Sequence, residues 1–307
     1  MVTASGVRIG WADLPGHVRD RIERIIGGGP VVEALSQTGG FSPGTADRVR
    51  TADGRRAFVK AVSPSQNTDS ATMARREARI TALLPEHTPV PRMLGTFEQD
   101  NWVVLILEDI VGSHPRTPWV ESEVDAAAAA LAKLAQALTP APDLDLPRVT
   151  DYVASDFACW AKLAADPPAD LDPWLVANLG ALRAASEHGL AAISHGDTLT
   201  HCDIRADNLL VRTDGRILIV DWPWGSLGPA WLDTVMLAMN VLVHGGDPSR
   251  LLVGLDPDDV TGVIAGFTGY FHWQSRLPPP PGLPTVRAFQ RFQGDALVPW
   301  LRARLTA

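Results

Sequence analysis

Residues His201-Cys202-Asp203-Ile204-Arg205-Ala206-Asp207-Asn208, followed by an apolar run and then Asp221-Trp222, constrain the fold more than any other stretch of the chain. Leu209 to Arg212 and Arg216 to Val220 flank Asp214-Gly215, a strong turn signal, so the segment reads as a β-hairpin. A two-residue turn would pair Thr213 with Arg216, and counting outward then sets Asn208 opposite Asp221. Facing residues of an antiparallel pair lie on one side of the sheet with Cβ atoms about 4.5–5.5 Å apart. An amide oxygen and a carboxylate so placed can share Mg2+, a hard cation that prefers oxygen ligands and phosphate.

The pattern H-x-D-x-x-x-x-N, then a hairpin, then Asp resembles the catalytic loop and metal-binding aspartate of the protein-kinase-like superfamily. Within it, the chain is most similar to the aminoglycoside phosphotransferase family of small-molecule kinases. The resemblance implies that Asp203 accepts the proton of a substrate hydroxyl, that Asn208 and Asp221 hold Mg2+, and that Arg205 neutralises charge on the moving phosphoryl group. His201 would brace the loop, and Asp233, in Gly228-Pro229-Ala230-Trp231-Leu232-Asp233, would be a structural carboxylate. Cys202 departs from the Gly usual in the family. Trp222-Pro223 stands where protein kinases have Phe-Gly, and the short link to Asp233 leaves little room for a regulated activation loop. Just upstream, His195-Gly196-Asp197 spells the family's His-Gly-Asp, but Cys202 rather than Asn lies five residues after Asp197 and no hairpin follows in register. It reads as a polar turn.

The N-terminal part holds a second constellation. Val18 to Ile26 reads as a helix, Val31 to Leu35 as a strand, and Asp47 to Arg50 with Arg56 to Val62 as a hairpin around Asp53-Gly54. The Gly-rich Gly39-Gly40-Phe41-Ser42 segment could lay backbone N–H groups over nucleotide phosphates. Lys60 sits among Phe58, Val59, Ala61 and Val62, and a Lys in apolar surroundings needs an anionic partner. Glu77, in a helix expected over Ala71 to Leu84, is that partner in the kinase-like pattern. Leu94 to Glu98 and Trp102 to Leu107 read as strands leading to Glu108-Asp109-Ile110-Val111-Gly112, where the resemblance puts the interlobe hinge, with adenine against backbone groups of about Leu107 to Ile110.

From residue 119 the chain is mainly helical, with helices expected at Glu121–Leu138, Thr150–Ala165, Pro173–Ala192, Trp231–His244, Pro257–Trp273 and Thr285–Leu305. The expected fold is α+β and two-lobed: an antiparallel-sheet lobe over 1–108, and a mainly helical lobe over 109–307 carrying catalysis and the acceptor site. Trp160, Trp174, Trp231, Trp273 and Trp300 read as core or groove residues. Arg287, Arg291, Arg302 and Arg304 read as a solvated helix face. Asp143, Asp145, Asp166, Asp170 and Asp172 fall in Pro-rich turns that suit capping.

The chain of 307 residues is long enough for two lobes, and its 46% hydrophobic and 20% charged content is that of a globular protein. A net charge of −8 disfavours nonspecific nucleic-acid binding. No apolar run reaches the ~18 residues of a membrane span, no secretory leader is evident, and Cys159 and Cys202 lack metal-ligand spacing, so a cytoplasmic protein is expected, with a monomer favoured. Residues 119–190 hold eleven acidic against four Lys or Arg side chains, which suits a cationic acceptor, whereas from residue 240 five acidic face six basic. The expected activity is phosphate transfer from ATP or GTP, with Mg2+, to a hydroxyl of a small molecule, an aminoglycoside or another antibiotic or metabolite. The alternative is a non-catalytic nucleotide-binding module.

Overall fold

The computed structural model describes residues 8–37 and 44–305. After a 3-10 turn at Trp11–Asp13, the first elements are α1 (Gly16–Ile26), β1 (Val31–Ser36), β2 (Thr45–Thr51), β3 (Arg56–Val62), α2 (Thr68–Leu83), β4 (Met93–Gln99) and β5 (Trp102–Glu108). The strands form one antiparallel sheet in the order β1-β2-β3-β5-β4. Val103 to Leu107 of β5 are all buried. An unbroken apolar run of this kind needs cover on both faces. Val104 and Ile106 face the cluster that Val18, Ile22 and Ile26 of α1 enter, whereas Val103 joins Val62 and Ala71, bringing in α2. The four-residue spacing of Val18, Ile22 and Ile26 gives α1 a single apolar stripe for this purpose.

The chain continues through β6 (Gly112–Ser113), α3 (Glu121–Ala137), α4 (Val149–Phe157), α5 (Cys159–Ala165), α6 (Pro173–Ala177), α7 (Leu179–Ala192), β7 (Thr198–Thr200), β8 (Leu209–Arg212), β9 (Ile217–Ile219), β10 (Ser226–Gly228), α8 (Leu232–Val243), α9 (Pro257–Gln274) and α10 (Val286–Leu305). This is the expected combination of an antiparallel sheet followed by a larger helical part. Two of the expected helices are broken in two. Thr150–Ala165 divides at Ala158 into α4 and α5, and Pro173–Ala192 divides at Asn178 into α6 and α7. The breaks let the shorter pieces turn buried faces (Phe157 and Trp160, Leu175 and Leu182) into one core. The two-stranded sheet of β7 with β10, and the pairing of β6 with β8, were not anticipated. Strands of two or three residues leave too little periodicity to read.

The catalytic hairpin forms with a register one residue away from that expected. Leu209 pairs with Ile219 and Val211 with Ile217. The Arg212 N–H donates to Arg216 O at 2.9 Å, and Gly215 N–H donates to Arg212 O at 2.9 Å. Thr213, Asp214 and Gly215 therefore make a three-residue loop with Gly215 left-handed at φ +79°, the type I turn plus bulge that a Gly at this position permits. Asn208 consequently does not face Asp221 across the ladder; its carbonyl accepts from Val220 N–H at 2.9 Å. The same loop, with Gly54 at φ +92°, joins β2 to β3.

Arg291 and Arg302 are not merely a solvated face. Arg291 reaches Asp170 at 2.7 Å and Arg302 reaches Asp172 at 3.2 Å, tying α10 to the turns before α6. Asp172 also caps α6, accepting from Trp174 N–H, in the capping role expected of it. No helix among the described residues is long and apolar enough to cross a membrane.

Helix α9 lies at the centre of the helical part, in contact with α4, α5, α7, α8 and α10. Its crossing with α7 is so close that backbones touch. A Cβ at Gly189 would lie 2.2 Å from the Gly262 carbonyl carbon, and one at Gly262 would lie 2.5 Å from Gly189 N. Gly189→Ala would gain about 1 kcal/mol of helix propensity but force the helices apart, at a cost of about 1–3 kcal/mol or more for overpacking. A net destabilisation of about 1–2 kcal/mol is expected in urea denaturation; an unchanged or raised midpoint would contradict this contact.

Candidate active site

Strand β3, the middle of α2 and the segment just after β9 converge on one charged centre. Lys60 Nζ donates to Glu77 Oε1 at 2.7 Å and to Asp221 Oδ1 at 2.6 Å. The Glu77 partnership is the one expected; the Asp221 contact adds a direct link from the sheet to the catalytic hairpin. Burial, the largest influence on Lys60, opposes its charge, but Asp221 and Glu77 together outweigh it and raise its pKa. Burial pushes Glu77 up against the pull of Lys60, and Glu77 also accepts from the Trp222 N–H. At Asp221 the balance reverses: burial is overcome by Lys60 and Arg205, and its pKa is lowered. Removing one member of such a buried group leaves another charge uncompensated.

The loop between β7 and β8 supplies the second half. Asp233, near the start of α8, accepts from His201 N–H at 2.8 Å and from Cys202 N–H at 2.9 Å. His201 Nε2 lies 2.9 Å from Val220 O, and Asp203 N–H donates to His201 Nδ1. Its ring packs edge-on against buried Trp222, with centroids 4.7 Å apart. Both side chains are thus structural, as expected. Cys202 and Asp221 hold left-handed backbones at φ 64° and 70°. For Cys202 this explains the Gly usual at the position. Its thiol, between Thr200 and Ser226 hydroxyls, is pushed up to about 12, above all by burial, so it is an inert thiol.

Asp203 and Arg205 meet directly. Arg205 Nη1 lies 2.6 and 2.8 Å from the two Asp203 oxygens, while Nε and Nη2 reach Asp207 at 3.0 and 3.1 Å. Burial raises the Asp203 pKa despite the opposing field of Arg205. Asn208, in a 3-10 turn at Ala206–Asn208, donates from Nδ2 to Asp203 O at 2.8 Å and to Asp203 Oδ2 at 3.1 Å. Its amide is therefore tied to Asp203, not set against Asp221 by strand pairing. Asp207 and Asn240, which accepts from Ala206 N–H and Trp119 Nε1, were missed. Nothing in the sequence distinguishes them from surface polar residues.

The remaining expected positions are less central. Gly39, Gly40, Phe41 and Ser42 lie outside the described residues. Glu108 N–H donates to Arg92 O at 2.8 Å, and its carboxylate lies 3.5 Å from Arg92. Ile110 is buried, and between them Asp109 binds Arg48 and Arg56 at 2.6 and 2.7 Å. The His195-Gly196-Asp197 stretch is an irregular segment leading into β7, not a regular turn, with Asp197 O accepting from Ala141 N–H.

A cavity of about 690 Å3 opens beside Asp203, Arg205 and Asp221, walled by α2, α4, α8, α9 and α10. Its size falls within the range of small-molecule sites. Trp224, Tyr152, Asp156 and Tyr270 line it but had no readable signal, because their elements are far apart in sequence.

The phosphotransferase enzyme family model matches residues 39–260. No curated protein matches the chain by sequence. Among solved structures, the choline kinase LicA from Streptococcus pneumoniae is 14% identical, with 92% of this chain and 98% of that chain covered and a TM-score of 0.62. The complex of APH(2")-IIia with GDP and kanamycin is 14% identical, covering 94% and 97%, with a TM-score of 0.63. The ternary complex of a thermostable aminoglycoside phosphotransferase APH(4)-Ia with ADP and hygromycin B is 15% identical, covering 92% and 98%, with a TM-score of 0.59. At this identity the likeness is one of fold.

Lys60→Met should destabilise the protein by about 3 kcal/mol, because Glu77 would keep its burial and lose its cation. Adding Glu77→Gln should restore part of that loss, as read by urea denaturation of the single and double variants. Strictly additive losses would show that the pair is not coupled.

Proposed function

The chain belongs to the phosphotransferase enzyme family, a family of small-molecule kinases, and from that premise we propose that it transfers the γ-phosphate of ATP to a hydroxyl of a small molecule, with Mg2+ accompanying the nucleotide. The observation that carries this reading is that Asp203 and Asp221 line one substrate-sized cavity, with Asp221 bound to Lys60, itself paired with Glu77. Phosphoryl transfer needs little covalent help; it needs alignment and charge compensation.

In this reading Asp203 takes the proton of the acceptor hydroxyl. Arg205 and Asn208 fix its carboxylate, and the raised pKa makes it a better proton acceptor than an exposed Asp. Arg205 is balanced by Asp203 and Asp207, so it orients the base as well as lending positive charge to the transfer. Lys60 would meet the α- and β-phosphates, exchanging part of its contact with Asp221 for them. Asp221 and Asn208 offer a carboxylate and an amide, the oxygen donors that suit Mg2+, and would hold it. When bound, the ion neutralises charge on the phosphates. Residues 39–42 would cover the phosphates, and the backbone of 108–110 would meet the base, at a lobe boundary set between 108 and 109.

Asp203→Asn should lower transfer by roughly a hundredfold or more while MgATP still binds in calorimetry. Transfer requires the ionised carboxylate, so kcat/KM should fall as pH drops through the Asp203 pKa, and that fall should begin above the ~4 of an ordinary Asp. Turnover equal to the parent enzyme's would remove Asp203 from this role, and absence of MgATP binding to the parent protein would end the kinase reading.

A further inference from the structure

The cavity beside Asp203 is poorly built for a polycation. Four carboxylates line it, those of Asp69, Asp156, Asp203 and Asp221. Asp203 and Asp221 already have Arg205 and Lys60. Two further arginines share the wall. Arg76 lies 4.9 Å from the Tyr152 ring centroid. Arg287 is held by neutral oxygens, donating to Gln274 and Gln290 Oε1 at 2.8 and 2.9 Å and to Pro278 O at 3.0 and 3.1 Å. A ligand with several ammonium groups would meet these cations with few acids left to offset them.

The rest of the wall is apolar and adaptable. Trp224, Phe267, Phe271 and Phe289 present aromatic surface, and Met236 and Met239 present thioethers, side chains that conform to irregular apolar bodies. Within this wall Asp156 stands out. It lies on α4, half-buried, and its carboxylate accepts no hydrogen bond from the described residues. Lys162 acts on it from α5, but the Lys162 ammonium sits 5.5 Å from the Trp273 ring centroid. Burial pushes the Asp156 carboxyl up to about 6, the state of an acid that lacks a close cation. Asp156, Asp203 and Tyr270 line the same cavity, so one bound molecule can meet both carboxylates. Tyr270 in turn accepts from Gln290 Nε2 at 3.2 Å, which fixes it on the wall.

We propose that the acceptor is an amphiphilic amino alcohol: a mainly apolar body carrying one amine close to the reacting hydroxyl, with Asp156 receiving the amine and Asp203 the hydroxyl. This rests on the kinase reading above and narrows it to a substrate class. It differs from the polyamine kanamycin bound by the structural relative APH(2")-IIia.

The test uses the full chain with MgATP and three kinds of probe: β-dimethylamino alcohols bearing a naphthyl or dodecyl group, their methoxy analogues lacking the amine, and kanamycin. Binding is followed by Trp fluorescence and transfer by labelled phosphate. The amines should exceed their methoxy analogues in kcat/KM by roughly ten- to a hundredfold, the worth of a charge-assisted hydrogen bond, and should exceed kanamycin. Asp156→Asn should bring the amine-to-methoxy ratio close to one, chiefly through KM, and Asp156→Glu should restore much of it. MgATP calorimetry on each variant reports that it is folded. The proposal is overturned if kanamycin is preferred, if the ratio survives Asp156→Asn, or if MgATP binds and no apolar amine does. Failure of MgATP to bind the parent protein would instead overturn the kinase reading itself.

Discussion

Everything at the candidate site depends on one ammonium group with two carboxylate neighbours. Lys60 comes from the third strand, Glu77 from the helix that follows, and Asp221 from the end of a hairpin 161 residues further on. Each charge would be costly to bury alone. Together they fix the rotation of α2 on the sheet and the seat of the hairpin against both. The apolar framework explains how these groups arrive at one point. Buried β5 is clasped between α1 and α2, so the neighbouring strand must present Lys60 from a rigid sheet, and the Asp233 clamp on His201 and Cys202 gives the opposite loop comparable rigidity.

Much of this was legible in the residues. The order Lys60, Glu77, Asp203, Asn208, Asp221 pointed to the family that the family model identifies, and the apolar neighbours of Lys60 predicted an acid partner correctly. The two Asp-Gly hairpins were legible as turns, but their registers were not. Whether Asp-Gly closes a loop of two residues or three depends on the backbone angle at the Asp, and that is settled by how the strand ends pack. The step of one residue separated Asn208 from Asp221 in the ladder, and the structure compensates by folding Asn208 into a short turn against Asp203.

The cavity wall was the part least open to reading. Its contributors span α2 to α10, and each side chain alone has an ordinary explanation. Trp224 follows a Pro, Asp156 is a helix carboxylate, and Tyr270 belongs to an apolar helix. Counting acids over residues 119–190 overstated the acidic excess open to an acceptor because it could not show that Asp170 and Asp172 are engaged by Arg276, Arg291 and Arg302. Long-range ion pairs cancel charges that composition counts as available.

The apposed glycines of α7 and α9 bear on how the binding surface can change. A helix locked backbone to backbone can neither slide nor roll, so Phe267, Tyr270, Phe271 and Gln274 form a fixed anvil. The give lies opposite, in the thioethers of α8 and in α10, whose ion pairs to the α6 turns are exposed and therefore easily rearranged. Drift in acceptor preference across such a scaffold would accumulate on that compliant side, while the anvil and the charged centre stayed as they are.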